Sequence, residues 1–132
     1  TLMTEESMVP ISPSELPIVL IVDDDTLLTD LFQQAMTKKG FQVLEANTGA
    51  SALALLETQT VHIIVLDMTL PDTLGLRIAQ TLAQTHPHLP ILIATGHDPD
   101  PADLPANVVE VVRKPFSLRA LAARLHALIT ES

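Results

Sequence analysis

The sequence predicts an α/β fold: a doubly wound, five-stranded parallel sheet of strand order 2-1-3-4-5. Three observations carry that expectation. Short apolar runs alternate with longer stretches whose apolar residues recur at helical spacing, and strand–helix–strand repetition implies parallel pairing through right-handed crossovers. The runs are nearly continuous rather than alternating in polarity, as in strands covered on both faces. Four of them end in reactive polar residues: Ile18–Val22 in Asp23, Asp24 and Asp25, 61–66 in Asp67, 91–94 in Thr95, and 108–112 in Arg113 and Lys114. In a doubly wound sheet these ends share the carboxyl edge, where such folds bind ligands.

The elements follow in order. Residues 1–17 include Pro10, Pro13 and Pro17 and carry no core of their own, so a flexible N-terminal tail or linker is expected, followed by one domain over 18–132. After the first strand, Asp25 or Thr26 caps a helix whose Leu28, Leu31, Phe32, Ala35 and Met36 share one face. Lys38 and Lys39 suit its carboxyl end and Gly40 stops it. Residues 41–46 form a second strand. Thr48 caps a second helix with Ala52, Leu55 and Leu56 inward. After the strand 61–66, a third helix from about Thr73 carries Leu74, Ile78 and Leu82 in register. The segment His86-Pro87-His88-Leu89-Pro90 breaks it before strand 91–94. Pro99, Pro101 and Pro105 then deny a full helix its backbone donors, so the fourth helix is expected to be truncated or remodelled. Strand 108–112 precedes a last helix, capped by Ser117, with Leu118, Leu121, Ala122, Leu125, Leu128 and Ile129 as its stripe.

Composition excludes several functions. Hydrophobic residues are 47% of 132 and aromatics 2%, so the core is aliphatic. Cysteine is absent, which removes disulfides, thiol nucleophiles and thiolate metal sites. Sixteen acids against seven Lys and Arg give a net charge of -9, which repels nucleic-acid backbones and anionic membranes. No apolar run approaches the ~20 residues of a membrane span, and Glu5, Glu6 and Glu15 argue against a signal peptide, so a cytoplasmic protein is expected. The histidines at 62, 86, 88, 97 and 126 are scattered, and no zinc site is expected.

In the predicted strand order the first and third strands are neighbours, so Asp23, Asp24 and Asp67 converge. Two like charges at 4 Å repel by about 4 kcal/mol at an effective dielectric of 20. A hard divalent cation relieves that; Mg²⁺ takes few carboxylates, waters and often a phosphate oxygen. The backbone carbonyl of Thr69 can add an oxygen. A carboxylate beside such a cation can act as a nucleophile towards phosphorus, with Lys114 and the Thr95 hydroxyl to meet the phosphoryl oxygens. Taken singly, these residues read as caps and turns: Asp25 caps a helix, Thr95 precedes Gly96, and Pro115 enters a helix. Only their joint order points to chemistry.

Val22-Asp23-Asp24-Asp25, Leu66-Asp67-Met68-Thr69-Leu70-Pro71 with Gly75, Ala94-Thr95-Gly96 and Lys114-Pro115-Phe116 resemble the receiver domain of two-component response regulators over 18 to about 130. The resemblance implies a flavodoxin-like fold and a phosphorelay role. Asp67 would be the phosphoacceptor, with Asp23, Asp24, Asp67 and the Thr69 carbonyl holding Mg²⁺. Thr95 would be the switch hydroxyl, Lys114 the catalytic amine, and Lys114–Pro115 a cis bond. A histidine kinase or histidine phosphotransfer protein would supply the phosphoryl group. The protein would be a monomer or weak dimer, either a single-domain regulator or the receiver of a hybrid kinase, and no enzyme beyond self-catalysed phosphoryl uptake and loss.

Three features depart from the family pattern: Leu74 replaces an acid before Gly75, Val111 replaces the aromatic switch residue, and the segment after Thr95 is short and proline-rich. They raise the alternative of a docking module that works without phosphorylation. An Asp-nucleophile phosphohydrolase of the haloacid dehalogenase type is a further alternative. That type wants Thr or Val where Leu27 stands, and a lysine where none occurs between Lys39 and Lys114.

Overall fold

The computed structural model describes residues 16–131. Five parallel strands, β1 (Ile18–Val22), β2 (Gln42–Ala46), β3 (Ile63–Asp67), β4 (Ile91–Thr95) and β5 (Val108–Arg113), form one sheet in the order β2-β1-β3-β4-β5. The α-helices among the described residues are α1 (Thr26–Lys38), α2 (Gly49–Thr58), α3 (Gly75–Thr85) and α4 (Leu118–Glu131). The fourth crossover holds only a 3-10 turn at Pro101–Asp103. There the ring nitrogens of Pro99, Pro101 and Pro105 offer no donor, and Asp100 caps the one turn that forms by accepting from the Ala102 N–H at 3.0 Å.

Each central strand sends alternate side chains to opposite faces, and both faces are covered. Leu20, Val22, Ile64, Leu66, Ile91 and Ile93 pack under α2 and α3, joined by Leu104 of the short crossover. Val19, Ile21, Ile63, Val65, Leu92 and Ala94 pack under α1 and α4. That two-sided burial explains why β1, β3 and β4 read as continuous apolar runs. Strand β5 lies at the edge and is only half-buried. Its register with β4 slips between Ile91 and Leu92: Ile91 pairs with Val108 and Leu92 with Glu110, so Val109 has no counterpart.

Local signals set most boundaries. The Asp25 carboxylate accepts from the Leu28 N–H at 3.1 Å, and Gly40, at φ 95°, takes the left-handed turn that ends the segment. Thr48 and Ser51 form a reciprocal capping box at α2.

Two expectations are corrected. Leu31 does not join the core face of α1; it is 45% exposed, because Thr29, Phe32 and Met36 face the sheet. The third helix starts at Gly75 rather than Thr73, and Leu74 is 52% exposed rather than inward. Residues 69–74 fold back on themselves, with the Leu70 N–H on the Thr73 carbonyl at 3.0 Å and a bridge between Thr69 and Leu74, so no helix can begin earlier. Most of the expected tail, residues 1–15, lies outside the described residues. Of its last two positions, Pro17 accepts from the Gln42 N–H at 2.9 Å.

Candidate functional site

Strands β1 and β3 are adjacent and in register to their ends, Val22 opposite Leu66. The next residue on each is an aspartate. Asp23 is 1% exposed and Asp24, where the chain turns towards α1, is exposed. Carboxylate oxygens of Asp23, Asp24 and Asp67 all lie within 4.8 Å of one another. From the far side, past β4, the Lys114 ammonium donates to Asp23 Oδ2 at 2.7 Å and stands 3.4 Å from Asp67 Oδ1. The Lys114 N–H is itself held by the Thr95 carbonyl at 2.8 Å, which ties the start of the β5–α4 loop to the end of β4. The Lys114–Pro115 peptide bond is cis.

Three carboxylates meet one ammonium, so two negative charges have no partner within the cluster. The titration behaviour reflects that. Burial first, and the Asp23 charge second, raise the Asp67 pKa; Lys114 and the Thr69 N–H pull it down without cancelling them. Burial alone would lower the Lys114 pKa, but the hydrogen bond and charge of Asp23, joined by Asp67, outweigh it and raise it. The donor set is all hard oxygen, with no imidazole or thiolate among the converging residues. It fits Mg²⁺ better than a transition metal. The uncompensated charge and the exposed side of Asp24 leave room for an ion that keeps several waters.

Asp67 also depends on a glycine. A Cβ on Gly75 would run into the Asp67 carbonyl oxygen, and would lie 3.0 Å from the Asp67 carbonyl carbon and 3.1 Å from the Met68 Cα. The Gly75 N–H donates to the Met68 carbonyl at 2.7 Å. The first turn of α3 therefore presses directly on the strand end that carries the carboxylate.

Thr95 is buried at the end of β4, and its hydroxyl turns towards its own loop: it donates to the His97 carbonyl at 2.8 Å and accepts from the His97 N–H at 3.1 Å. Thr69 follows Asp67 in an exposed turn. Val111 is half-buried on β5, paired with Ile93, and packs against the α2–α3 side of the core.

Asp72 and Asn47 are two residues to which sequence reasoning gave no role. The Asp72 carboxylate accepts from the Gly49 N–H at 2.8 Å and the Ala50 N–H at 3.0 Å, and these bonds lower its pKa. The Asn47 side-chain amide donates to the Asp23 carbonyl at 2.9 Å. Their partners are backbone groups, which carry no side-chain signature, so no motif marks them.

Residues 19–126 match the family described as response regulator receiver domain. The chain belongs to that family. Over 114 residues this receiver is 36% identical to the probable transcriptional regulatory protein TcrX of Mycobacterium tuberculosis, covering 84% of this chain and 49% of that protein. The chain thus spans about half the length of the curated relatives it matches. Its structure is similar to a CheY-like receiver domain protein from Methanospirillum hungatei, with a TM-score of 0.83 and 26% identity over 89% of this chain and 96% of that one. It is also similar to the BeF3-activated receiver domain of DrrB from Thermotoga maritima, with a TM-score of 0.76 and 26% identity over 89% of this chain and 99% of that one. Receiver domains act in two-component signalling opposite histidine kinases, and this receiver brings Asp23, Asp24 and Asp67 into one acidic pocket. No helix among the described residues is long and apolar enough to cross a membrane.

Proposed function

We propose that this receiver, over residues 18–132, takes a phosphoryl group onto Asp67 from a phosphohistidine of a histidine kinase or phosphotransfer protein. The observation that carries the reading is the setting of Asp67. Its side chain keeps 13% of its surface open to solvent, beside two further carboxylates and an ammonium that it shares with Asp23. An Asp67 carboxylate oxygen attacks phosphorus in line. The P–N bond to the donor imidazole breaks, its electron pair leaves with the nitrogen, and an acyl phosphate remains. Asp23, Asp24, Asp67 and the Thr69 carbonyl would hold Mg²⁺, which supplies neutralisation of the approaching phosphoryl oxygens. Lys114, already within reach of Asp67, turns its positive charge to a phosphoryl oxygen. Thr95 contributes its hydroxyl proton only after giving up the bond it donates to the His97 carbonyl, so uptake and loop rearrangement are coupled. The domain performs no turnover beyond its own phosphorylation and dephosphorylation.

Incubation with acetyl phosphate and Mg²⁺ tests this. The wild-type chain should gain one phosphoryl group by intact mass, and Asp67→Asn should gain none; label on Asp67→Asn would sink the assignment. A second reading, docking without phosphorylation, draws support from the Thr95 hydroxyl being fully engaged by its own loop. A folded wild-type chain that takes no phosphoryl group in Mg²⁺ would favour it.

A further inference from the structure

We infer that the β2–α2 loop braces the spacing between the Asp23 and Asp67 carboxylates, with Asn47 of that loop and Asp72 of the β3–α3 loop as the positioning residues. The inference rests on the reading of the site as a Mg²⁺-dependent phosphoacceptor. The pairing of β1 with β3 ends at Val22 and Leu66, so no β1–β3 ladder bond fixes the distance between the two aspartates that follow. Their charges repel. Asp67 is paired with Ala94 of β4 and Lys114 bridges the two carboxylates, which leaves the main chain at Asp23 to be held from the β2 side.

The loop between β2 and α2 reaches both. On one side, the Asp23 N–H donates to the Ala46 carbonyl at 3.0 Å and Asn47 Nδ2 donates to the Asp23 carbonyl at 2.9 Å. On the other, Asp72 takes the Gly49 and Ala50 N–H groups at 2.8 and 3.0 Å, charge-assisted bonds at the positive end of α2. Gly49 is pressed so close that a Cβ would stand 2.5 Å from Thr73 Cγ2 and 2.9 Å from Ile78 Cδ1. Asp72 connects back to Asp67 through a stiff turn closed by the bond from Leu70 to Thr73 and that from Gly75 to Met68. Two sets of hydrogen bonds, Asn47 to Asp23 and Gly49 and Ala50 to Asp72, joined by short lengths of main chain, therefore connect Asp23 to the turn that follows Asp67.

Asp72 shares the capping of α2 with the Thr48–Ser51 box, and its share is the part that links two loops. Thr48 Oγ1 accepts from the Ser51 N–H at 3.1 Å, and Ser51 Oγ answers the Thr48 N–H at 3.3 Å. Asp72, some two dozen residues away, takes the Gly49 and Ala50 N–H groups that Thr48 leaves free, and the same two bonds tie the start of α2 to the β3–α3 loop.

The test compares the full chain with Asn47→Ala, Asp72→Ala and Asp72→Asn. Mg²⁺ affinity is read by amide NMR titration, and phosphorylation by acetyl phosphate is followed against Mg²⁺ concentration. We expect Asn47→Ala and Asp72→Ala each to weaken Mg²⁺ by about 3- to 10-fold, less than or near the low end of effects seen for groups one shell from a metal. Most of the lost phosphorylation rate should return at saturating Mg²⁺. Asp72→Asn keeps one acceptor oxygen and should recover part of the affinity. Variants that melt earlier yet bind Mg²⁺ like the wild type would reduce both residues to structural roles and overturn the brace alone. A wild-type chain that binds no Mg²⁺ would overturn the brace together with the phosphoacceptor reading.

Discussion

On the β1–β3 half of the carboxyl edge, the acid-bearing segments are tied to a neighbouring loop, Asp23 to Asn47 and Asp72 to Gly49 and Ala50, and the β3–α3 loop is closed on itself by Gly75 to Met68. The β4–β5 half is held more loosely. There the Thr95 hydroxyl binds only its own loop, and Asp98 meets Arg113 at 3.1 Å with both side chains more than half exposed. One half holds charges that repel, so its geometry must be imposed from outside. The other holds a neutral hydroxyl, a short crossover and one ammonium, Lys114, which reaches across to Asp23 and Asp67 and so attracts where the acids repel. The difference teaches that restraint of the clustered acids and the sparse bonding of the fourth crossover fall to separate loops of one sheet edge.

The comparison breaks most visibly at glycines. Gly75→Ala drives a methyl into the Asp67 backbone and should cost about 2–3 kcal/mol in urea unfolding, the range of core overpacking. Gly96→Ala, where a Cβ meets nothing within 4 Å, should stay within about 0.5 kcal/mol of wild type. Equal losses at both positions would erase the distinction.

A smaller effect is expected from the ion pairs. Lys114→Met leaves the buried Asp23 carboxylate without its ammonium and should cost about 2 kcal/mol without divalent cations, less than for a fully buried pair because Lys114 is partly wet. Added Mg²⁺ should narrow that loss. Arg113→Ala breaks an exposed pair and should cost no more than about 0.5 kcal/mol.

The smallest effect is in pH. The Asp67 pKa is raised by burial and by Asp23, so the folded chain holds that proton more tightly than the unfolded chain. Ionisation of Asp67 therefore lowers stability as pH rises from the unfolded carboxylate range through the folded pKa. Asp67→Asn should be more stable than wild type above that window in metal-free buffer, and the gap should close on acidification below it. A gap unchanged across pH would show that Lys114 already neutralises the site.

Much of this was legible in the sequence. The continuous runs of β1, β3 and β4, the caps Asp25 and Thr48, and the prolines of the fourth crossover each have a direct physical meaning, and the strand order followed from the alternation of strands and helices. The convergence of Asp23, Asp24 and Asp67 followed from that order. Leu31 was misplaced because an apolar stripe can be wider than the arc a sheet covers. Leu74 was misplaced because the turn that delays α3 is made of backbone bonds. The direction of the Thr95 hydroxyl is a rotamer choice that spacing cannot encode. Asn47 and Asp72 act on main-chain groups, so their work showed only once the loops were side by side.

The register slip beside Ile91 has a consequence for solubility. Strand β5 is one of the sheet's two margins, flanked by a short crossover, and it carries Val109 at 44% exposure. An unbroken margin of that kind is a template for strand addition by another chain. Here Val109 falls out of register, Glu110 is engaged by Arg124 at 2.8 Å, and Arg113 adds a charge further along. A bent, charged margin is a poor match for a foreign strand, so the domain can carry a minimal fourth crossover without inviting edge-to-edge aggregation.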